Sequence, residues 1–188
     1  GYTMTELGVL PEDWEVRTLG ELGILIKGKG ITRSEALSGV LPCIRYGEIY
    51  THHNFVVKDF ISFISRDVAE KSMRLKCGDI LFTCSGETKE DIGKCVSFIL
   101  SIEAYAGGDI IILRNTSEDT VFLGYRLNAF DIVQQKSSLG QGDAVVHISQ
   151  KALSSILVSF PKALPEQHAI AAALSDVDAL LDAQERLI

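Results

Sequence analysis

Three apolar runs, DILFTC (79–84), IGKCVSFIL (92–100) and DIIILRN (109–115), are rich in β-branched and aromatic residues and are separated by Gly, Ser and Asp. Runs of this length and composition predict strands. Residues 14–18, 24–26, 40–46, 60–64 and 156–161 carry the same signal in shorter form, and Ser65 is placed to cap a short helix reaching Ser72. From Glu118 to Lys136 the period changes: Phe122, Tyr125, Ala129, Ile132 and Val133 share one face of a predicted amphipathic helix.

The last stretch, PEQHAIAAALSDVDALLDAQERLI (165–188), predicts a second and longer helix. Ile170, Leu174, Val177, Leu181, Gln184 and Ile188 recur at alternating spacings of four and three, the rhythm of a coiled-coil seam. Pro165 suits a first helical position, and Glu166 complements the positive end of the helix dipole. Covering the aliphatic seam formed by Ile170, Leu174, Val177 and Leu181 would contribute about 6–12 kcal/mol as an upper bound. A partner helix or the chain's own domain can supply that cover, and spacing alone leaves both open. The expected fold class is α+β: a sheet-rich globular domain over residues 1–160, then a long C-terminal coiled-coil-type helix over residues 161–188.

At 188 residues the chain accommodates one core of ordinary size plus an extension. Its apolar runs all fall short of the ~18 residues needed to cross a bilayer, and its start lacks a signal pattern, so a soluble cytoplasmic protein is expected. Cys43, Cys77, Cys84 and Cys95 lie in or beside apolar runs, as reduced core cysteines do. They form no paired-ligand motif and no His is placed to complete one, so no metal site is expected.

A net charge of −7 opposes indiscriminate nucleic-acid binding. The charge is unevenly spread, however. Between residues 27 and 45, Lys27, Lys29, Arg33 and Arg45 face Glu35 alone, whereas the last helix is acidic. Asp79, Glu87 and Lys89 have spacing compatible with a Mg²⁺-dependent nuclease, but Glu87 and Lys89 sit in SGETKEDIG, a polar stretch with Gly at 86 and 93, not on a strand. Phosphate-binding glycine loops and nucleophile elbows are absent, and His147 near Ser149 is too sparse a pair to make a catalytic site.

Taken together, LGVLPEDWEVRTLGEL near the start, GVLPCIRYGEI, LKCGDILFTCSGETKEDIGKC, AGGDIIIL and HISQKALSSILVSFPKALPEQHAIAAAL occur in a distinctive order. Leu-Pro-x-x-Trp, a Gly-Asp-Ile-Leu strand followed by Ile-Gly, and Pro-x-x-x-x-Glu-Gln leading into an Ile-Ala helix are its most specific parts. In these the chain resembles, over nearly its whole length, the specificity subunit of type I restriction-modification systems. The resemblance implies a target recognition domain followed by the start of a conserved spacer helix. It implies double-stranded DNA as ligand, one half of a bipartite site being read by each such domain. It also implies docking to methyltransferase and endonuclease subunits. S-adenosylmethionine, ATP and Mg²⁺ would then belong to those subunits, with no cofactor in this non-catalytic chain. One such domain is present, so the helix would pair with that of a second recognition domain or with a copy of itself.

Base-reading residues differ among relatives, so the candidates come from contact chemistry. Arg and Lys suit guanine, Asn and Gln adenine, and acidic side chains cytosine. In loops these are Arg45, Tyr46 and Glu48; Ser85, Glu87, Thr88 and Lys89; and Gln141, Asp143 and His147. Lys27, Lys29 and Arg33 suit phosphate contacts. Ile170, Leu174, Val177 and Leu181 are the helix-interface candidates. A Mg²⁺ nuclease and a protein-binding scaffold without DNA readout are the competing functional readings.

Overall fold

The computed structural model describes residues 1–142 and 144–185. The chain begins with β1 (Tyr2–Thr5), β2 (Gly8–Pro11), β3 (Trp14–Thr18), α1 (Leu19–Leu22), β4 (Ile24–Lys27), β5 (Leu41–Ile44) and α2 (Tyr46–Thr51). It continues with β6 (Ser62–Ile64), α3 (Arg66–Ala69), β7 (Met73–Arg74), β8 (Asp79–Thr83), β9 (Ser85–Gly86), β10 (Cys95–Phe98), β11 (Tyr105–Ala106) and β12 (Ile110–Arg114). Then follow α4 (Thr120–Arg126), α5 (Phe130–Leu139), β13 (Val146–His147), α6 (Gln150–Ser154), β14 (Leu157–Pro161) and α7 (Leu164–Glu185).

The apolar runs form the central antiparallel sheet, in the order β10-β8-β12-β4. Side chains alternate across it, as the two-residue period of a strand requires. Ile80, Phe82, Ile111 and Leu113 pack toward α4, α5 and β14, while Leu81, Val96, Ile110 and Ile112 pack toward Ile44, Ile49, Val57 and Ala106. Both faces are covered, which is why these strands read as continuous apolar runs. The second sheet, β6-β5-β11-β7, supplies that other layer, and its β5 and β11 are parallel.

Strand β3 pairs with β14 antiparallel, Trp14 opposite Pro161 and Thr18 opposite Leu157, which brings the N-terminal region beside the start of α7. Two motif pieces meet here. Trp14 donates its indole N–H to Glu166 Oε1 at 3.2 Å. Gln167 is fully buried; its amide nitrogen donates to Glu118 Oε2 at 2.7 Å and to the Pro161 carbonyl at 2.9 Å, and its oxygen accepts from the Asp119 N–H at 2.9 Å. The Gly-Asp-Ile-Leu strand carries a third anchor: Asp79 accepts from Arg114 Nε at 2.8 Å and from its terminal nitrogen at 2.6 Å.

Three local expectations are corrected, and one element was not foreseen. The stretch 118–136 is two helices, because Asn128 leaves the helical path to bond the edge of β10: Cys95 N–H donates to its Oδ1, and its amide donates to the Cys95 and Gly124 carbonyls. The run 40–46 ends as a strand at Ile44, and Tyr46 begins α2. Cys77 is exposed, unlike the buried Cys43, Cys84 and Cys95; it lies in the turn before β8 and not in the core. The exposed N-terminal hairpin β1-β2 carries no strong alternation and escapes the sequence reading.

Candidate nucleic-acid interface

Five segments distant in sequence end on one face, and backbone hydrogen bonds tie them there. Gly28 N–H donates to the Ile110 carbonyl at 2.7 Å, Gly107 N–H to Ile44 at 2.9 Å and Gly108 N–H to Gly30 at 2.9 Å. On the neighbouring side Cys84 N–H donates to Asp109 and Ile148 N–H to Cys84, at 3.0 and 3.1 Å. Glycine is required at 28, because a Cβ there would lie 2.0 Å from the Gly107 carbonyl oxygen. Three adjoining grooves result. The groove with Thr32, Arg33 and Arg45 shares Tyr46 with the one holding Tyr50, Glu87 and Thr88. It shares Asp109 with the one holding Lys27, Ser85, Gln141 and His147.

The candidates differ in what else engages them. Tyr46 is exposed at the start of α2 and meets Tyr50 edge to face, with ring centroids 6.5 Å apart. Arg45 is partly exposed, but its Nε donates to Glu48 Oε1 at 3.0 Å. Glu48 is 3% exposed and also accepts from Ser62 Oγ at 2.5 Å, so it braces Arg45 from below instead of facing the groove. Ser85 is buried on β9, with its hydroxyl 3.0 Å from Nδ1 of the exposed His147 on β13. Glu87 and Lys89 are exposed in a turn closed by Thr88, whose hydroxyl donates to Asp91 at 2.8 Å.

Gln141 is exposed and its backbone forms a two-way bridge with His147, closing the loop between them. Asp143 lies outside the described residues. Lys27 and Lys29 flank Gly28 and are exposed, as is Arg33. Two groove residues escaped the sequence reading. Tyr50 shares a 2.7 Å hydrogen bond with Thr83, donates to the Ser85 carbonyl at 3.2 Å, and is pushed up to about 12 by burial, so it stays an uncharged hydroxyl. Asp109 closes the Gly-Gly turn; that dipeptide between two apolar runs was the signal available.

The nuclease triad is not assembled. Both oxygens of Asp79 are engaged by Arg114, and Oδ2 also accepts from the Lys76 N–H at 2.8 Å. Asp79 opens β8 while Glu87 lies beyond its far end, about 14 Å along an extended strand. Burial pushes the Cys43 and Cys95 thiols up to about 12 and about 11, which leaves them unreactive. One ligand-type cluster does form where none was expected: His52, His53 and Asp59 come together beyond the C-terminal end of α2.

Helix α7 packs on the domain, though beyond Ile170 not through the stripe read from its spacing. Gln167, Ala171, Ser175, Asp178 and Asp182 face inward: Ala171 is buried in the core, Tyr125 reaches Ser175 and Asp178, and Lys58 pairs with Asp182 at 2.7 Å. Of the four interface candidates, Ile170 packs partly against the core. Leu174, Val177 and Leu181 remain 40%, 52% and 53% exposed. Among the described residues no helix is long and apolar enough to cross a membrane.

Comparisons with known proteins agree with this architecture. The chain is 26% identical over 197 residues to the type I restriction enzyme MjaVIII specificity subunit of Methanocaldococcus jannaschii, covering 98% of this chain and 44% of that one. It is 26% identical to the EcoKI specificity subunit of Escherichia coli, covering 93% and 38%. The S subunit of a type I restriction-modification system from M. genitalium has the same fold at a TM-score of 0.63 and 19% identity, with 93% and 41% covered. The HsdS subunit of Thermoanaerobacter tengcongensis does so at 0.64 and 20%, with 95% and 40% covered. The chain thus spans about two fifths of the length of these relatives, which are named for specificity and not for catalysis. A family model described as the type I restriction modification DNA specificity domain matches residues 11–188, and the chain belongs to that family.

Proposed function

We propose that this chain reads one half of a bipartite DNA target through the face bearing Arg33, Arg45, Tyr46, Lys89, Gln141 and His147. The observation that carries this reading is the convergence, from four separate segments, of side chains with base-reading and phosphate-binding chemistry on an otherwise acidic protein. Lys27, Lys29 and Arg33 hold phosphates, and the exposed amide and imidazole side chains of Gln141 and His147 meet base edges. Helix α7 serves as a spacer, its Leu174, Val177 and Leu181 covered by the helix of a second recognition domain or of another copy. Methyltransferase and endonuclease subunits dock on this assembly and bring S-adenosylmethionine, ATP and Mg²⁺ with them; the chain contributes specificity and no catalytic group.

The test selects duplexes from a random library with the chain assembled with its methyltransferase subunits, then compares Lys89→Ala, Gln141→Ala and His147→Ala. A recurrent motif is expected. At least one of the three replacements should weaken the selected duplex by about 1–3 kcal/mol while leaving a random duplex unaffected. Failure to enrich any sequence would leave the protein-binding scaffold as the better reading. Enrichment with all three variants unchanged would place the reading surface elsewhere.

A further inference from the structure

Beyond α2 the chain runs through His52 and His53, turns at Phe55, and returns by Lys58 to Asp59. One ligand atom from each of His52, His53 and Asp59 lies within 4.8 Å of the others. His52 Nε2 is 2.6 Å from Asp59 Oδ1, and the two imidazoles meet edge to face with centroids 4.9 Å apart. These three side chains line a cleft of about 500 Å³.

An ordinary His–Asp pair would account for His52 and Asp59 but not for His53. That residue is 3% exposed, and its Nε2 has no hydrogen-bond partner among the described residues. A buried nitrogen left unpaired is costly, so native proteins seldom leave one without a ligand or bound solvent.

We propose that His52, His53 and Asp59 bind a divalent transition metal ion of the zinc class. Two imidazoles and a carboxylate suit zinc, nickel or copper, whereas magnesium and calcium favour all-oxygen shells. Neighbouring cations are accommodated: Lys58 is paired with Asp182 at 2.7 Å, and Lys94 donates to the His53 carbonyl at 3.3 Å. The ion acts as a structural staple. The loop it closes is bonded to β10 through Phe55–Ser97 and Val57–Ser97, and to α7 through Lys58. It therefore joins α2, which carries Tyr46 and Tyr50, to the layer that supports the terminal helix.

The test uses the full chain, stripped with chelator, in a Cys77→Ser background because Cys77 is an exposed thiol that would take up metal itself. Calorimetric titration with zinc chloride should show one ion per chain, undisturbed by excess magnesium. His52→Ala, His53→Gln and Asp59→Asn should each weaken binding by at least about tenfold. His52 and Asp59 are exposed, so their variants should keep the wild-type circular dichroism spectrum and report ligation separately from folding. With copper(II), electron paramagnetic resonance should show coupling to two imidazole nitrogens, reduced to one in His52→Ala. Absence of stoichiometric zinc binding, or equal affinity in the folded His52→Ala and Asp59→Asn variants, would overturn the proposal. No arm of the test depends on DNA binding.

Discussion

Tyr125 of α4 donates its phenolic hydrogen to Asp178 of α7 at 2.7 Å, while Phe55 stacks on its ring with centroids 4.6 Å apart. This bond helps set the rotation of α7. With Asp178 held inward, Val177 and Leu181 lie on the outer side, where neither touches the domain core.

The outward stripe makes association separable from folding. Leu174→Glu with Leu181→Glu should leave unfolding free energy within about 0.5 kcal/mol of wild type, since both side chains are substantially exposed. Pairing through the helix should be lost, as read by light scattering over a concentration series. A wild-type chain that never associates, alone or with a second recognition domain, would contradict the pairing.

Gln167 is the latch at the root of the same helix. Gln167→Leu keeps the volume but strands the Asp119 N–H and the Pro161 carbonyl in a buried site. Each orphaned group costs about 1–3 kcal/mol, so urea denaturation should report a loss of about 2–4 kcal/mol. A loss below about 0.5 kcal/mol would mean that solvent reaches these groups.

Asp79 should matter for stability and not for cleavage chemistry. Asp79→Asn leaves Arg114 without its charged partner and is expected to cost about 3–5 kcal/mol in chemical denaturation. Replacing both residues, Asp79→Leu with Arg114→Leu, should recover part of that loss because no buried charge remains. A double variant worse than the single would show that the bond from Arg114 to the Arg74 carbonyl is the larger contribution.

Phosphate contacts have a salt signature. Lys27→Ala, Lys29→Ala and Arg33→Ala should each weaken binding of the assembled complex to selected and random duplexes alike. Each should also lower the slope of log affinity against log salt by about one unit. A variant that weakens only the selected duplex would move that residue among the base readers.

Much of the architecture was legible because side-chain periodicity is local. Alternating or continuous apolar runs at 79–84 and 109–115 mark strands whatever the fold around them, and the spacing from Ile170 to Leu181 marks a helix with one apolar stripe. The break at Asn128 was not legible, since it depends on the exposed edge of β10 lying within reach of that side chain. The start of α2 was legible only in part: the Arg45–Glu48 contact is local, three residues apart, but Glu48 reaches Ser62 only once β5 and β6 are paired.

The candidate site divides in the same way. By itself the sequence determined which residue types are available, a basic segment from Lys27 to Arg45 and polar loops around Ser85 and Gln141, because those are properties of composition. Only the tertiary structure decided which of them share a face, which one is buried as a brace, and that His52, His53 and Asp59 meet. It also chose which stripe of α7 turns inward. The helix carries an apolar row and a row of Gln167, Ser175 and Asp178, and local physics favours burying the former. The polar row faces the domain because Glu118, Asp119, Tyr125 and Lys58 present hydrogen-bonding partners at matching heights, and those partners exist only after the rest of the chain has folded.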